Sequence, residues 1–374
     1  MTEKRLTTDE VRAWVDFIEP GREFHYTKAL DGLVHPSMYD SLRKIMYELV
    51  KQRVIKPSGM HDGVYKKIQI IEPVKWWEAD SSAYYDITHP HSIIDLSTFG
   101  WGDIVNISSG DCIVVAGVSN FGKSSVVLNY LARNIDTHQC LLMGNEYTTL
   151  DGMPSPKFKR RIESMNVNWF KEDGSPKFEL LPVSADYDCY VQSGKLNIID
   201  WINEPENPYM IGRIMENIKK NIGDGIAVIV VQKNRVNDQG VGGQFTEHFA
   251  DMYLSLDPYN VDVFPETRIT LGKVKDTKQG VRATGRSWVF SIRDNGANLN
   301  NIREVTRCKS CYGKGYTHSG KCPNLDCVAG WVALDKKYID EEAFIKAENL
   351  PQQEEEIDPE FQEELFGDTD EIFN

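Results

Sequence analysis

The 374-residue sequence has no long hydrophobic run: its longest strand-like apolar stretch, IAVIVV from Ile226 to Val231, is far too short to cross a bilayer. Its opening, MTEKRLTTDEV, lacks the charged-then-apolar layout of a signal peptide. Together these absences lead us to expect a soluble chain that stays in the cytoplasm and has no membrane partner. Isolated cysteines are scarce. Of seven, only Cys112, Cys140 and Cys189 stand alone, and the expected cytosolic residence argues against a disulfide framework. Cys112 and Cys140 adjoin apolar strand sequence and read as core residues. Basic residues are missing from Pro351 to Asn374, which carries ten acids. Removing that segment takes the net charge from −14 to about −4, so the body of the chain can still present basic patches to a nucleic acid.

The remaining sequence divides into parts. Residues 1–72 contain TTDEVRAWVDFIE, YTKALDGL and PSMYDSLRKIMYELVKQRVI, which predict two or three helices. A turn at KPSGMHDG and the segment VYKKIQII then predict a strand pair. This order resembles a winged helix, a module that lays its last helix in a DNA groove or docks onto protein. Arg43, Lys44, Lys51, Arg53, Lys56, Lys66 and Lys67 would supply phosphate contacts. Residues 73–94 read as a linker with clustered aromatics, in which His89 and His91 sit in a Pro-containing loop. Residues 95–300 form the large domain, 301–335 a cysteine module, and 336–374 an acidic, largely disordered tail. The tail's acids are interleaved with Phe361, Leu365, Phe366, Ile372 and Phe373, which also suits an interaction peptide or a mimic of DNA charge.

The large domain carries the chemistry. GVSNFGKSS, comprising Gly117, Val118, Ser119, Asn120, Phe121, Gly122, Lys123, Ser124 and Ser125, follows a β-rich apolar segment and precedes a helical pattern. It meets G-x-x-x-x-G-K-[ST] in the context that mechanism needs. Successive backbone N–H groups and the helix N-terminus would wrap the phosphates of ATP. Lys123 would neutralise the β- and γ-phosphates, and Ser124 would offer its hydroxyl to Mg²⁺. CLLMGNEY reaches Glu146, 23 residues after Lys123; LNIID ends at Asp200, a candidate second contact to the Mg²⁺ shell; IAVIVVQKNR turns polar at Gln232. Each polar residue falls where a parallel strand would stop, so all are expected along one edge of a sheet.

In order, SSGDCIVVAGVSNFGKSSVVLNYLA, NEYT, LNIIDWI, VVQKNR, GVGGQFTEHFADMYLSL and TRITLGKVKD resemble the core of the RecA and DnaB superfamily over residues 95 to 295. The resemblance implies an α/β fold with a RecA-like P-loop core and a mainly parallel central sheet. It implies that Glu146 orients the attacking water, that Gln232 senses the γ-phosphate, and that Asn234 to Phe249 form a mobile DNA-contacting loop. Lys273 and Lys275 match the position from which family members send a cation into a neighbour's ATP site. Ordinary strand-end solvation is the alternative for these lysines, and Arg282 and Arg286 are rival fingers. A trans cation would make hydrolysis depend on a hexameric ring or filament. The helical N-terminal domain of DnaB helicases is not visible, and strand-exchange recombinases do not usually carry the cysteine cluster.

That cluster is Cys308-x2-Cys311, ten residues, then Cys322-x4-Cys327. Paired short spacings let two turns each present two thiolates to Zn²⁺, and the intervening glycines permit the tight backbone. Its opening resembles the zinc region of DnaJ chaperones. Lys309, Lys314 and Lys321 either contact nucleic acid or are simply solvated. The expected function is a DNA-stimulated ATPase of replication or recombination: a ring-forming helicase or translocase on single-stranded DNA, or alternatively a recombinase or loader forming filaments. A regulatory ATPase without DNA is the third class. The acidic tail would bind other replication or recombination proteins. The compact, unusual accessory set suits a virus-encoded protein acting in a host cytoplasm.

Overall fold

The computed structural model describes residues 6–29, 34–59, 61–69, 71–149, 151–204, 207, 210–234, 239–261, 265–334 and 338–339. Most of the acidic tail therefore lies outside the described residues. The chain forms two compact units, Met1–Ser81 and Ser82–Asn374.

In the first unit, α1 (Thr8–Asp16) starts at Thr7, whose hydroxyl accepts from the Glu10 N–H while the Glu10 carboxylate accepts from the Thr7 N–H. β1 (Glu23–His25) and α2 (Tyr26–Ala29) follow, then α3 (Tyr39–Lys51), β2 (Ile55–Pro57) and β3 (Val64–Lys67). On α3 the buried residues Leu42, Ile45, Met46 and Leu49 recur at helical spacing, which leaves Arg43 and Lys44 on the exposed face. The sheet is antiparallel in the order β1-β3-β2. Sequence reading anticipated the pair β2 and β3 but not β1. Three residues are too few to show a period, and β1 exists through its pairing of Phe24 with Tyr65.

The second unit is α/β around a large, mainly parallel sheet. Its elements are β4 (Ser97–Thr98), β5 (Cys112–Gly117), α4 (Lys123–Asn134), β6 (Cys140–Met143), α5 (Pro156–Glu163), β7 (Phe178–Leu181), α6 (Tyr187–Tyr190), β8 (Leu196–Ile202), α7 (Met210–Asn221), β9 (Ile226–Gln232), α8 (Gln244–His248), β10 (Met252–Asn260), β11 (Glu266–Val274), β12 (Ser287–Arg293), β13 (Asn298–Arg307), the short hairpin β14 (Tyr316–Thr317) and β15 (Gly320–Lys321), β16 (Trp331–Ala333), and β17 (Tyr338–Ile339), which pairs with β4. Ten of these strands run in the order β16-β13-β12-β11-β10-β5-β9-β8-β6-β7. From β10 to β7 every neighbour is parallel; from β10 to β16 every neighbour is antiparallel.

The central strands are apolar on both faces because both are covered. Ile113 and Val115 join one cluster with Val127 and Leu131 of α4, and Val114 and Ala116 join another with Met215 and Ile218 of α7. Two sequence boundaries move. β8 continues two residues past Asp200 through a register shift between Ile199 and Ile202. The division drawn at residue 300 falls inside β13, because the cysteine segment is an insertion between β13 and β16, which pair with each other. Among the described residues, no helix is long and apolar enough to cross a membrane.

Candidate functional site

The parallel strands end along a common edge, and a cleft of about 470 Å³ opens there. The loop from Ser119 to Ser125 forms one wall, and Glu146, Asp200 and Gln232 are among the residues that line the rest. Gly117, the last residue of β5, pairs with Gln232, the last of β9, so adjacent strand ends bring these two segments together. Two loop glycines are sterically required. A Cβ on Gly117 would lie 2.8 Å from Lys123 Cγ, and one on Gly122, where φ is +83°, would lie 2.4 Å from Ile292 Cδ1. α4 begins directly after Gly122, which aims its free N–H groups into the cleft.

The charges in this cleft are only partly satisfied. Lys123 Nζ donates to the Val118 carbonyl at 3.0 Å, folding back over its own loop. Burial lowers the Lys123 pKa, opposed by the carboxylates of Asp200 and Glu146. Asp200 is buried, and burial raises its pKa, opposed by the Tyr147 hydroxyl and the nearby Ser124 hydroxyl. One Asp200 oxygen accepts from the Tyr147 hydroxyl, while the other, Oδ1, is buried with no partner. An orphaned carboxylate oxygen beside the Ser124 hydroxyl is the hard-oxygen donor set that Mg²⁺ takes, so the residues present fit that ion. Glu146 Oε1 accepts from Trp201 Nε1 at 3.1 Å, and Gln232 Nε2 donates to Ser119 Oγ at 2.8 Å. Gly144 lets these segments close up, since a Cβ there would lie 2.2 Å from the Asp200 carbonyl oxygen. The Asp200–Trp201 peptide is cis.

No family model and no curated protein matches the chain. Among solved structures, a KaiC-like protein, PH0186, from the hyperthermophilic archaeon Pyrococcus horikoshii OT3 is similar over 57% of this chain and 100% of its own. The TM-score is 0.43 and the identity 14%.

Lys273 and Lys275 are not in the cleft. β11 runs antiparallel to β10, so they lie towards the other end of the sheet. Lys273 Nζ donates to the Glu247 carbonyl at 2.6 Å, and Lys275 Nζ pairs with Asp251 Oδ1 at 2.7 Å. Of the rival fingers, Arg286 holds Glu304 through two hydrogen bonds of 2.7 and 2.8 Å; Arg282 lines a separate cavity with Arg268 and Arg307. In the segment from Asn234 to Phe249, residues 235–238 lie outside the described residues, Val241 N–H donates to the Gln232 carbonyl, and Phe245 is exposed. Sequence reasoning missed Tyr147, Trp201 and Arg161, all beside the cleft, and Lys233. The Lys233 side chain is fully buried, paired with Asp257 at 2.7 Å and bonded to Ser255 at 2.9 Å, which fastens the end of β9 to β10.

The four cysteines converge. Their sulfurs all lie within 4.8 Å of one another, with Cys308 to Cys322 at 3.8 Å and Cys311 to Cys327 at 3.7 Å. A disulfide needs about 2.05 Å, whereas sulfurs tetrahedral about Zn²⁺ at about 2.3 Å are separated by about 3.8 Å. The donor set and spacing fit zinc. Cys112 and Cys140 are buried in strands, and Cys189 is exposed. His89 is more than a loop residue: Nδ1 bonds the Tyr130 hydroxyl at 3.0 Å, and the ring packs edge-on to Trp101 and Tyr130.

Proposed function

We propose that this chain is a P-loop ATP hydrolase that acts on DNA. The observation that carries the reading is the gathering of Lys123, Ser124, Glu146, Asp200 and Gln232 around one cleft at the ends of parallel strands. Bound there, a nucleotide's phosphates would meet the loop N–H groups and Lys123. Ser124 and Asp200 would hold Mg²⁺, which would supply positive charge to the phosphate oxygens. Glu146, positioned by Trp201, would accept the proton of the attacking water. Gln232, bonded to Ser119 of the loop, would register whether a γ-phosphate is present.

The finer reading is a ring-forming helicase or translocase on single-stranded DNA. Two features support a DNA partner: the order α1-β1-α2-α3-β2-β3 with its β1-β3-β2 sheet suits a winged helix, and α3 presents Arg43 and Lys44 outward. The cysteine insertion serves as a structural zinc knot, so chelation should release one zinc per chain and loosen the segment between β13 and β16.

Turnover of ATP with and without single-stranded DNA, combined with unwinding of a forked duplex, tests the reading. Wild type should hydrolyse ATP faster with DNA, and Glu146→Gln should bind ATP but turn over at least about 100-fold more slowly. Strand pairing without unwinding would favour the filament-forming alternative. A rate indifferent to DNA would remove the DNA partner, and normal turnover in Glu146→Gln would remove its role as base.

A further inference from the structure

One cation in the cleft belongs to neither the phosphate loop nor any expected finger. Arg161 stands on the last turn of α5 and lines the cleft with Lys123, Glu146 and Asp200. Its Nε donates to the Asn295 carbonyl at 3.1 Å, and among the described residues its terminal nitrogens have no acceptor.

The corner that holds Arg161 is unusual. Asp294, Asn295 and Gly296 have φ of 53°, 57° and 91°, three successive residues in the left-handed region, two of them not glycine. Gly296 leaves the space the guanidinium fills: a Cβ there would lie 3.0 Å from Nη2 and 3.2 Å from Cζ. The corner is tied on both sides. Asn298 Nδ2 donates to the Ser164 carbonyl at the end of α5, and Asn129 Nδ2 of α4 donates to the Ala297 carbonyl, each at 2.8 Å. Strain of this kind persists where the surroundings over-determine it, and here it fixes one end of a guanidinium whose other end is free in the cleft. By contrast, the two lysines expected to serve a neighbour are occupied within their own chain.

We propose that Arg161 is a catalytic residue that supplies the transition-state cation for ATP hydrolysis within its own subunit. The proposal rests on the ATPase reading above. In the step, water attacks the γ-phosphorus and gives its proton to Glu146, and the bond from the γ-phosphorus to the bridging oxygen breaks, leaving ADP and inorganic phosphate. The Arg161 N–H groups bind the γ-phosphoryl oxygens as charge shifts, and the guanidinium keeps its protons throughout.

The test uses full-length wild type, Arg161→Ala, Arg161→Lys and Lys123→Ala, with kcat from phosphate release and affinity from a fluorescent ATP analogue. Arg161→Ala should lower kcat about 1,000-fold while changing affinity less than about tenfold. Arg161→Lys and added millimolar guanidinium should each restore part of the rate. Retained affinity shows that the variant is folded. Mixing Arg161→Ala with Lys123→Ala should restore nothing, because a cation acting within its own chain cannot be lent. A kcat within about threefold of wild type, a loss expressed wholly in affinity, or recovery on mixing would each overturn the proposal. Inactive wild type would instead remove the ATPase reading beneath it.

Discussion

Two buried aspartates, Asp200 and Asp251, lie at opposite ends of the same sheet with lysines nearby, and their circumstances are reversed. Asp251 precedes β10 beside the start of β5. It accepts from the Cys112 N–H at 2.9 Å, from Lys275 at 2.7 Å and from Lys219, and although burial pushes its pKa up, these bonds bring it below the ordinary carboxylate value. Asp200, near the end of β8, has one oxygen without a partner and a raised pKa, and Lys123 nearby spends its ammonium on a carbonyl rather than on a carboxylate. A satisfied buried charge holds strands together. An unsatisfied one is a cost that the fold tolerates where something else is meant to bind.

The largest expected effect follows from exchanging one aspartate at a time. Asp200→Asn should lower ATP turnover on the order of 1,000-fold. A raised carboxyl pKa contributes stability that is present below the unfolded value and is lost as pH rises through the folded one. Asp200 is therefore a growing burden on the fold as pH rises, and the gain in denaturation midpoint of Asp200→Asn over wild type should grow towards high pH. Asp251→Asn should do the reverse, costing about 3 kcal/mol in urea unfolding while turnover per folded molecule stays near wild type. If both variants lost stability and kept activity, the two ends of the sheet would be alike and the contrast would be broken.

His89 offers an intermediate case, polar and satisfied but neutral. Burial, helped by Lys278, pushes its pKa down to about 4. The folded protein resists protonation while the unfolded chain takes up a proton below about pH 6.5. Stability present above that pH should therefore be lost as pH falls towards 4. The advantage of wild type over His89→Gln should shrink by on the order of 2 kcal/mol between pH 7 and 4.5 in paired urea titrations. A constant difference would mean that the ring is not enclosed as described.

The smallest effect is expected at Lys275, whose side chain is 46% exposed. Lys275→Ala should cost less than about 1 kcal/mol, since Lys219 still pairs with Asp251. Its turnover should remain within a few fold of wild type. A loss of orders of magnitude would show that Lys275 leaves Asp251 to serve a neighbouring subunit.

What the sequence revealed was whatever is written in consecutive residues. The G-x-x-x-x-G-K-[ST] loop after β5, the apolar runs of β6, β8 and β9, and the carboxylate or amide at or near the end of each of those three are local patterns. Parallel pairing then places them side by side without further information. The paired cysteines were legible for the same reason. Arg161 was not: it lies in KFKRRIESM, where Lys157, Lys159, Arg160 and Arg161 look alike. Only the return of the chain at Asn295, 134 positions later, distinguishes one of them. Asp251 and Lys275 gave no sign of their pairing either, because the register of β10 with β11 decides it. β1 was too short to carry a period, and β16 was hidden behind the cysteine loop it closes.

β13 has one end at Asn298, in the corner that grips Arg161, and the other at Arg307, next to Cys308, the first of the four clustered cysteines. At about 3.3 Å per residue that single strand is roughly 30 Å long, with a bulge at Asn301. It pairs with β12 on both sides of that bulge, and the four-cysteine segment follows its tip. The four-cysteine segment and the corner beside the arginine are thus the two ends of one strand, and the bulge at Asn301 is the joint through which a twist at one end would have to pass to reach the other.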